Sequence, residues 1–179
     1  MNIFVTDFCP VMSAVALPDK LVNKMATESC QMISIIYSPW YHNWGNIPKK
    51  DGTPYNTEKG THRNHPCTKW AANSHENLAW LIRHGFALCN EYRHRYNKIH
   101  ACLETLYVAE DIFIQKTKET IGIYHNVTEF VRAMPDEYKF DTSIDTFGAY
   151  KIYLNTKPYV AGNYLRIPSR KPDWLNNKI

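Results

Sequence analysis

No stretch of this chain approaches the roughly 18 consecutive apolar residues that a membrane-spanning helix needs, so no membrane partner is expected. The opening MNIFVTDFCPVM carries no basic leader, so a secretory signal is not expected and the host-cell cytoplasm is the expected compartment. CxxC spacings are missing too. The five cysteines, Cys9, Cys30, Cys67, Cys89 and Cys102, cannot all pair, and reduced, buried thiols are the reading. The patterns GxxxxGK(S/T), GxGxxG and GxSxG are absent, which leaves P-loop hydrolysis, dinucleotide redox chemistry and hydrolase-elbow chemistry unsupported. Nothing calls for a cofactor, and neither an internal repeat nor a low-complexity tract divides the chain.

What is present reads as one domain spanning all 179 residues, 44% of them hydrophobic and 21% charged, close to the averages for soluble globular chains. Charge is unevenly spread: residues 1–41 carry −1, 42–100 carry +5, 101–138 carry −4 and 139–179 carry +4. The two basic segments are suited to a phosphate backbone or simply to solvent. Aromatic residues reach 13%, with 12 Tyr and 5 Trp, a supply for core filling and for base stacking alike.

The pattern predicts a mainly α, compact helical bundle with long irregular loops. Pro10 and Ser13 suit a first short helix, and Pro18 opens a second that runs to about Tyr37. On that second helix Leu21, Val22, Met25, Ser29, Met32 and Ile36 share a core face. Residues 38–65, rich in Gly, Pro, Asn and Thr, form a long loop and a candidate lid. From His65 an apolar stripe follows the 3.6-residue period through Trp70, Ser74, Leu78, Leu81, Gly85, Leu88, Tyr92, Tyr96, Ile99 and Leu103, with a break at Asn73-Ser74 where Ser74 caps a new helix. A last helix is predicted over 143–154, followed by an irregular tail, 156–179.

Glu28 is the residue that fits the pattern least comfortably. It falls roughly 70° from the centre of its helix's apolar stripe, on a flank shared with Lys20, Lys24, Gln31 and Ile35. An ion pair with Lys24 one turn earlier accounts for it in structural terms. A half-dried carboxylate able to act as general base accounts for it in chemical terms. The long helix has a similar flank, Asn77, His84 and Glu91 at seven-residue intervals and Arg95 beyond, which suits either a groove reading a base edge and a phosphate or a hydrogen-bonded network between helices. His62, Asn64 and His65 precede the helix whose N-terminus suits anions. His62 and His65 with Cys67 and His75 raise a zinc reading that no second close pair completes, so no metal is expected. Trp70 lies on the core stripe, whereas Trp80 lies off it and is a candidate for stacking on a base.

Three blocks, DKLVNKMATESCQ, THRNHPCTKWAANSHENLAWL and AMPDEYK, resemble a widespread family of short phage proteins. The first two are also similar, more distantly, to the pyrimidine-dimer DNA glycosylase and abasic-site lyase family, a compact, largely helical fold. Asp19 and Glu28 reproduce that family's spacing of an aspartate and the catalytic glutamate nine residues on, and HPCTKW resembles its second element. The resemblance implies DNA bending, base extrusion and attack on the sugar's anomeric carbon by an N-terminal α-amine, the glutamate assisting. Residue 2 is Asn, too large for ordinary removal of Met1, and Thr27 and Gln31 stand where those glycosylases carry arginines. The expectation is therefore cleavage of an N-glycosidic bond in DNA or a nucleotide, with Glu28 as base and water as nucleophile. Lys20, Lys24, Gln31, His62, Asn64, His65, Trp70, Asn77, Trp80, His84, Glu91 and Arg95 are the candidate substrate-binding groups. The alternatives are a non-catalytic, nucleotide-sequestering pocket of a phage counter-defence protein and a small DNA-binding accessory protein.

Overall fold

A computed structural model describes residues 1–122 and 124–175. Among them are seven α-helices, α1 (Pro10–Val15), α2 (Asp19–Tyr37), α3 (Pro66–Ala72), α4 (His75–Tyr96), α5 (Leu103–Thr117), α6 (Asp136–Lys139) and α7 (Thr146–Asn155), and two 3-10 turns, Pro168–Arg170 and Asp173–Leu175. The fold is mainly α. No strand forms among the described residues, and the isolated bridge between Pro48 and Pro54 does not extend. The apolar run at Ile3 and Val5 is instead buried as irregular chain.

α4 is the hub, with α1, α2, α3 and α5 all packed against it. Its start is set locally: the Ser74 side chain accepts from the Asn77 N–H at 3.1 Å, as an N-cap should. Its end is not where the apolar period stops. Asn97 adopts the left-handed conformation, φ 51°, and its N–H closes back on the Arg93 carbonyl, so the helix ends at Tyr96. Ile99, the next residue of the stripe, is 71% exposed. Pro18 and Pro66 stand at the starts of α2 and α3, where a missing N–H costs nothing.

The 38–65 loop is seated on the bundle rather than free. Ile47 is fully buried, the Thr105 hydroxyl donates to the Pro48 carbonyl at 2.7 Å, and Trp44 packs against Tyr37 and Phe113. Gly60, at φ +57°, lets the loop close: a Cβ there would stand 2.6 Å from Arg63 Nη1 and 2.7 Å from the Trp40 ring, which the Arg63 guanidinium covers at 4.1 Å. Of the 156–179 tail, residues 176–179 lie outside the described residues, and the rest is turns and the two 3-10 segments.

Candidate active site

α2 carries Glu28 and is fixed at its first residue. The Asp19 carboxylate takes the N–H groups of Leu165 and Arg166 at 2.9 and 3.0 Å and pairs with Arg95 at 3.1 Å. Nine residues on, at about 1.5 Å rise per residue, Asp19 and Glu28 are too far apart to share a substrate atom. Asp19 anchors the helix.

Glu28 is buried, its side chain 10% exposed, yet it is surrounded by donors. The Asn2 N–H donates to Oε2 at 2.9 Å, the Met1 amino nitrogen lies 3.5 Å from the same oxygen, and Lys24 Nζ lies 3.3 Å from Oε1. The local sequence explains how two successive backbone nitrogens come to face one carboxylate. Asn2 Oδ1 accepts from the N–H groups of Ile3 and Phe4 at 2.8 and 2.9 Å, an Asx-type turn, and Phe4 completes the bend at φ 41°. Asn2 Nδ2 donates to the Ala133 carbonyl at 2.7 Å, which pins the turn from outside. The Tyr150 hydroxyl donates to the Val131 carbonyl and accepts from the Ala133 N–H, holding that segment in turn.

His65 lies near Met1 and Glu28 as well. It caps α3, its Nδ1 accepting from the Cys67 N–H at 3.2 Å, and it hydrogen-bonds the Met1 backbone. Burial lowers its pKa, the Met1 amine and His62 push the same way, and Glu28 opposes them. Because Nδ1 accepts from the Cys67 N–H, Nε2 is the nitrogen left to donate. Behind it, burial pushes the Cys67 thiol up to about 12, an inert packing group. Lys24, 58% exposed at its side chain, is a partner of Glu28 that faces solvent. An open cleft of about 520 Å³, edged by Asn64, Pro66, Lys69, Trp70 and Thr128, begins at the residues flanking His65.

The structure therefore brings together Glu28, Lys24 and His65, with Gln31 half-buried one turn further along α2. Of the other candidates, Asn64 and Trp70 edge the cleft and the rest lie elsewhere. Lys20 lies over the Tyr159 ring at 5.3 Å, beside the C-terminal turns. His62 and Asn64 are exposed, Asn64 at the rim of the cleft. Asn77, His84, Glu91 and Arg95 do not line an open groove. Asn77 binds the Trp70 carbonyl and both the N–H and hydroxyl of Thr128. His84 Nδ1 donates to the Pro10 carbonyl at 2.9 Å, and burial drives its pKa down to about 4. Glu91 meets Arg95 at 2.7 Å and Arg170 at 3.0 Å, while Arg95 also reaches the carbonyls of Val15 and Leu17. This stripe is a seam tying the N-terminal segments, Thr128 and Arg170 to α4. Trp80, expected off the core, is fully buried with its Nε1 donating to the Phe8 carbonyl, because α4 is covered on more than one side. Trp70 is buried beside it, in ring contact with Trp80 and Phe130. Among the described residues no group of three or more His, Cys, Asp and Glu side chains is arranged to hold a metal.

A carboxylate facing the first two backbone nitrogens of the chain, with a histidine at a helix start beside it, is the arrangement on which a comparison with known families bears. The family model for pyrimidine dimer DNA glycosylase matches residues 1–104. The chain belongs to the pyrimidine dimer DNA glycosylase family. Searches of curated proteins and of solved structures gave no match. The family match takes in Met1, Asn2, Glu28 and His65, and it makes DNA the partner at the level of the family. Ala133 and Tyr150 lie beyond it. Sequence reasoning missed both, and it took Asn2 only as a bar to removal of Met1. The block AMPDEYK, which opens at Ala133, was the available signal for the first of them. No described helix of this glycosylase-family chain is long and apolar enough to cross a membrane.

Proposed function

We propose that this protein removes a damaged or modified base from DNA by cleaving its N-glycosidic bond, with Glu28 as the general base. The observation that carries the reading is the convergence of Asn2 N, the Met1 amine and Lys24 on one buried carboxylate, with His65 close by. In the reaction Glu28 takes a proton from a water that attacks the anomeric carbon. The bond to the base breaks, the base leaves, and an abasic sugar remains. A carboxylate in a site that excludes bulk water also stabilises the cationic sugar that develops as the base departs. The cleft beside His65 is where an extruded nucleotide enters, and extrusion costs a few kcal/mol, less for a damaged base. Lys24 and Lys69 are exposed on this side and suit phosphate contacts.

A second reading rests on the 3.5 Å separation of the Met1 nitrogen from Glu28. Where Met1 carries a free α-amine, that nitrogen is placed to give its proton to Glu28 and attack the anomeric carbon itself, forming a Schiff base after the base leaves.

Duplexes carrying pyrimidine dimers, modified bases or no lesion separate these readings. Abasic product from a lesion duplex is expected, reduced about a hundredfold or more in Glu28→Gln. Trapping of a covalent protein–DNA adduct by borohydride selects the amine, and product without an adduct selects water. No abasic product from any duplex, or full activity in Glu28→Gln, overturns the proposal. Recovery of an intact bound nucleotide, or duplex binding that falls steeply with salt without turnover, would then identify a sequestering pocket or a DNA-binding accessory protein.

A further inference from the structure

The cleft beside His65 holds polar side chains that base removal by Glu28 leaves unused. Asn64, Lys69 and Asn73 line it from α3 and the residues on either side of that helix, and Glu129 lines it from the irregular segment that begins beyond α5. All four are exposed, and among the described residues their side chains make no hydrogen bond or ion pair within the protein. Glu129 is nonetheless fixed in place. Asn77, fully buried on α4, grips the preceding residue twice: its Oδ1 accepts from the Thr128 N–H at 2.9 Å, and its Nδ2 donates to the Thr128 hydroxyl at 2.8 Å. The Trp70 indole N–H donates to the Thr128 carbonyl at 3.5 Å. The following residue, Phe130, is buried against the rings of Trp70 and Trp80. An exposed carboxylate is thus held between two anchored neighbours, where this cleft meets two adjoining ones.

A carboxylate is an unexpected group in a cleft that faces DNA. It repels phosphate, and when ionised it only accepts hydrogen bonds. What DNA offers such a group is the N–H of a base edge turned out of the helix. Cytosine, adenine and guanine present an exocyclic amino group. Thymine and uracil present an N–H flanked on both sides by carbonyl oxygens, and these confront the oxygens of the carboxylate. The amides of Asn64 and Asn73 both donate and accept, so they suit either kind of base, and Lys69 suits phosphate. Of the four, Glu129 is the group that discriminates. We propose, on the reading that Glu28 cleaves an N-glycosidic bond, that Glu129 selects the base: the substrate carries an exocyclic amino group, which donates to Glu129, and bases derived from thymine or uracil are disfavoured. Glu129 lies beyond residues 1–104, the span of the family match, so this selection comes from the part of the chain that the family model does not cover.

The test gives full-length protein two duplexes that differ at a single ring substituent, one with 5-hydroxymethylcytosine and one with 5-hydroxymethyluracil, each opposite a stable abasic analogue so that neither base is paired. Abasic product and equilibrium binding are measured for wild type and for Glu129→Gln, a change at an exposed position that keeps the side chain's size. Wild type should cleave the amino-bearing base about tenfold faster or more, the worth of a hydrogen bond to a charged group, and the preference should largely vanish in Glu129→Gln. Equal rates on the two duplexes, or an unchanged ratio in the variant, overturns the proposal, since a role in folding alone would slow both equally. If neither duplex yields an abasic site, the binding ratio decides: tighter binding of the amino-bearing duplex that Glu129→Gln abolishes supports selection by Glu129, and equal binding overturns it. The Glu28 reading fails separately, when no lesion duplex of any kind yields an abasic site.

Discussion

Arg95 has a side chain with no exposure at all, and its guanidinium is shared between Glu91, Asp19 and the carbonyls of Val15 and Leu17. Arg95→Met leaves two carbonyls and part of two buried carboxylates without their donor, and about 3 kcal/mol of stability should be lost in urea denaturation, since breaking a buried pair from one side costs about 3–5 kcal/mol. Arg170 on Glu91 and the backbone N–H groups on Asp19 keep the loss at the low end. His84 sets a pH dependence. Its pKa is about 4 in the fold against 6.5 when exposed, so unfolding takes up a proton. The stability it contributes is complete above pH 6.5 and declines as pH falls towards 4, by about 3 kcal/mol in full. Burial lowers His42 and His65 too, and they act in the same direction. Chemical denaturation at pH 7 and pH 4.5 should show the loss, and His84→Gln should flatten it. At this scale the sequence was partly legible. Glu28 could be found because an acid beside an apolar stripe is a local anomaly. Asn77, His84, Glu91 and Arg95 could be found as a stripe, but a polar stripe looks the same whether it faces solvent or the carbonyls of another segment. The positions of α1, Thr128 and Arg170 decide, and helix periodicity carries no information about them.

Among the elements, the crossing of α4 and α5 turns on one missing methyl group. A Cβ at Gly85 would stand 2.8 and 3.3 Å from the two terminal carbons of Leu106, which is fully buried, and 3.5 Å from Ser29 Cβ. Gly85→Ala gains about 1 kcal/mol of helix propensity, but it crowds a side chain with nowhere to move, and overpacking costs about 1–3 kcal/mol. The expected outcome is a net loss of stability and a lower melting temperature, with a smaller loss when Gly85→Ala is made in a Leu106→Ala background than in the wild-type chain, whereas a solvent-exposed helical glycine would show a gain. Helix starts were legible where a capping side chain or a proline marks them, as at Ser74, Pro18 and Pro66. The end of α4 was not. Its apolar period continues past Tyr96 to Ile99, and only the left-handed turn at Asn97 ends it, a conformation that asparagine permits without requiring.

Taken as a whole, the molecule builds its site from parts far apart in the chain. The family match ends at residue 104, yet the turn that presents the first two nitrogens to Glu28 is clamped by Ala133, and Ala133 is held by Tyr150. Tyr150→Phe removes both hydroxyl bonds while keeping the ring that packs edge-on to Phe4 at 6.2 Å between centroids. Turnover of a lesion duplex should fall several-fold with little change in melting temperature, and amide exchange should quicken at Ala133. Unchanged turnover would mean that the clamp is dispensable. These long-range partners were illegible because hydrogen bonds between residues 2 and 133, or 133 and 150, leave no periodic trace. The clamp also has a consequence for biosynthesis. A ribosome delivers Asn2 and Glu28 long before Ala133 and Tyr150, so a partly translated chain has the carboxylate but not the device that fixes the nitrogens before it, and the site is completed only once Tyr150 has emerged.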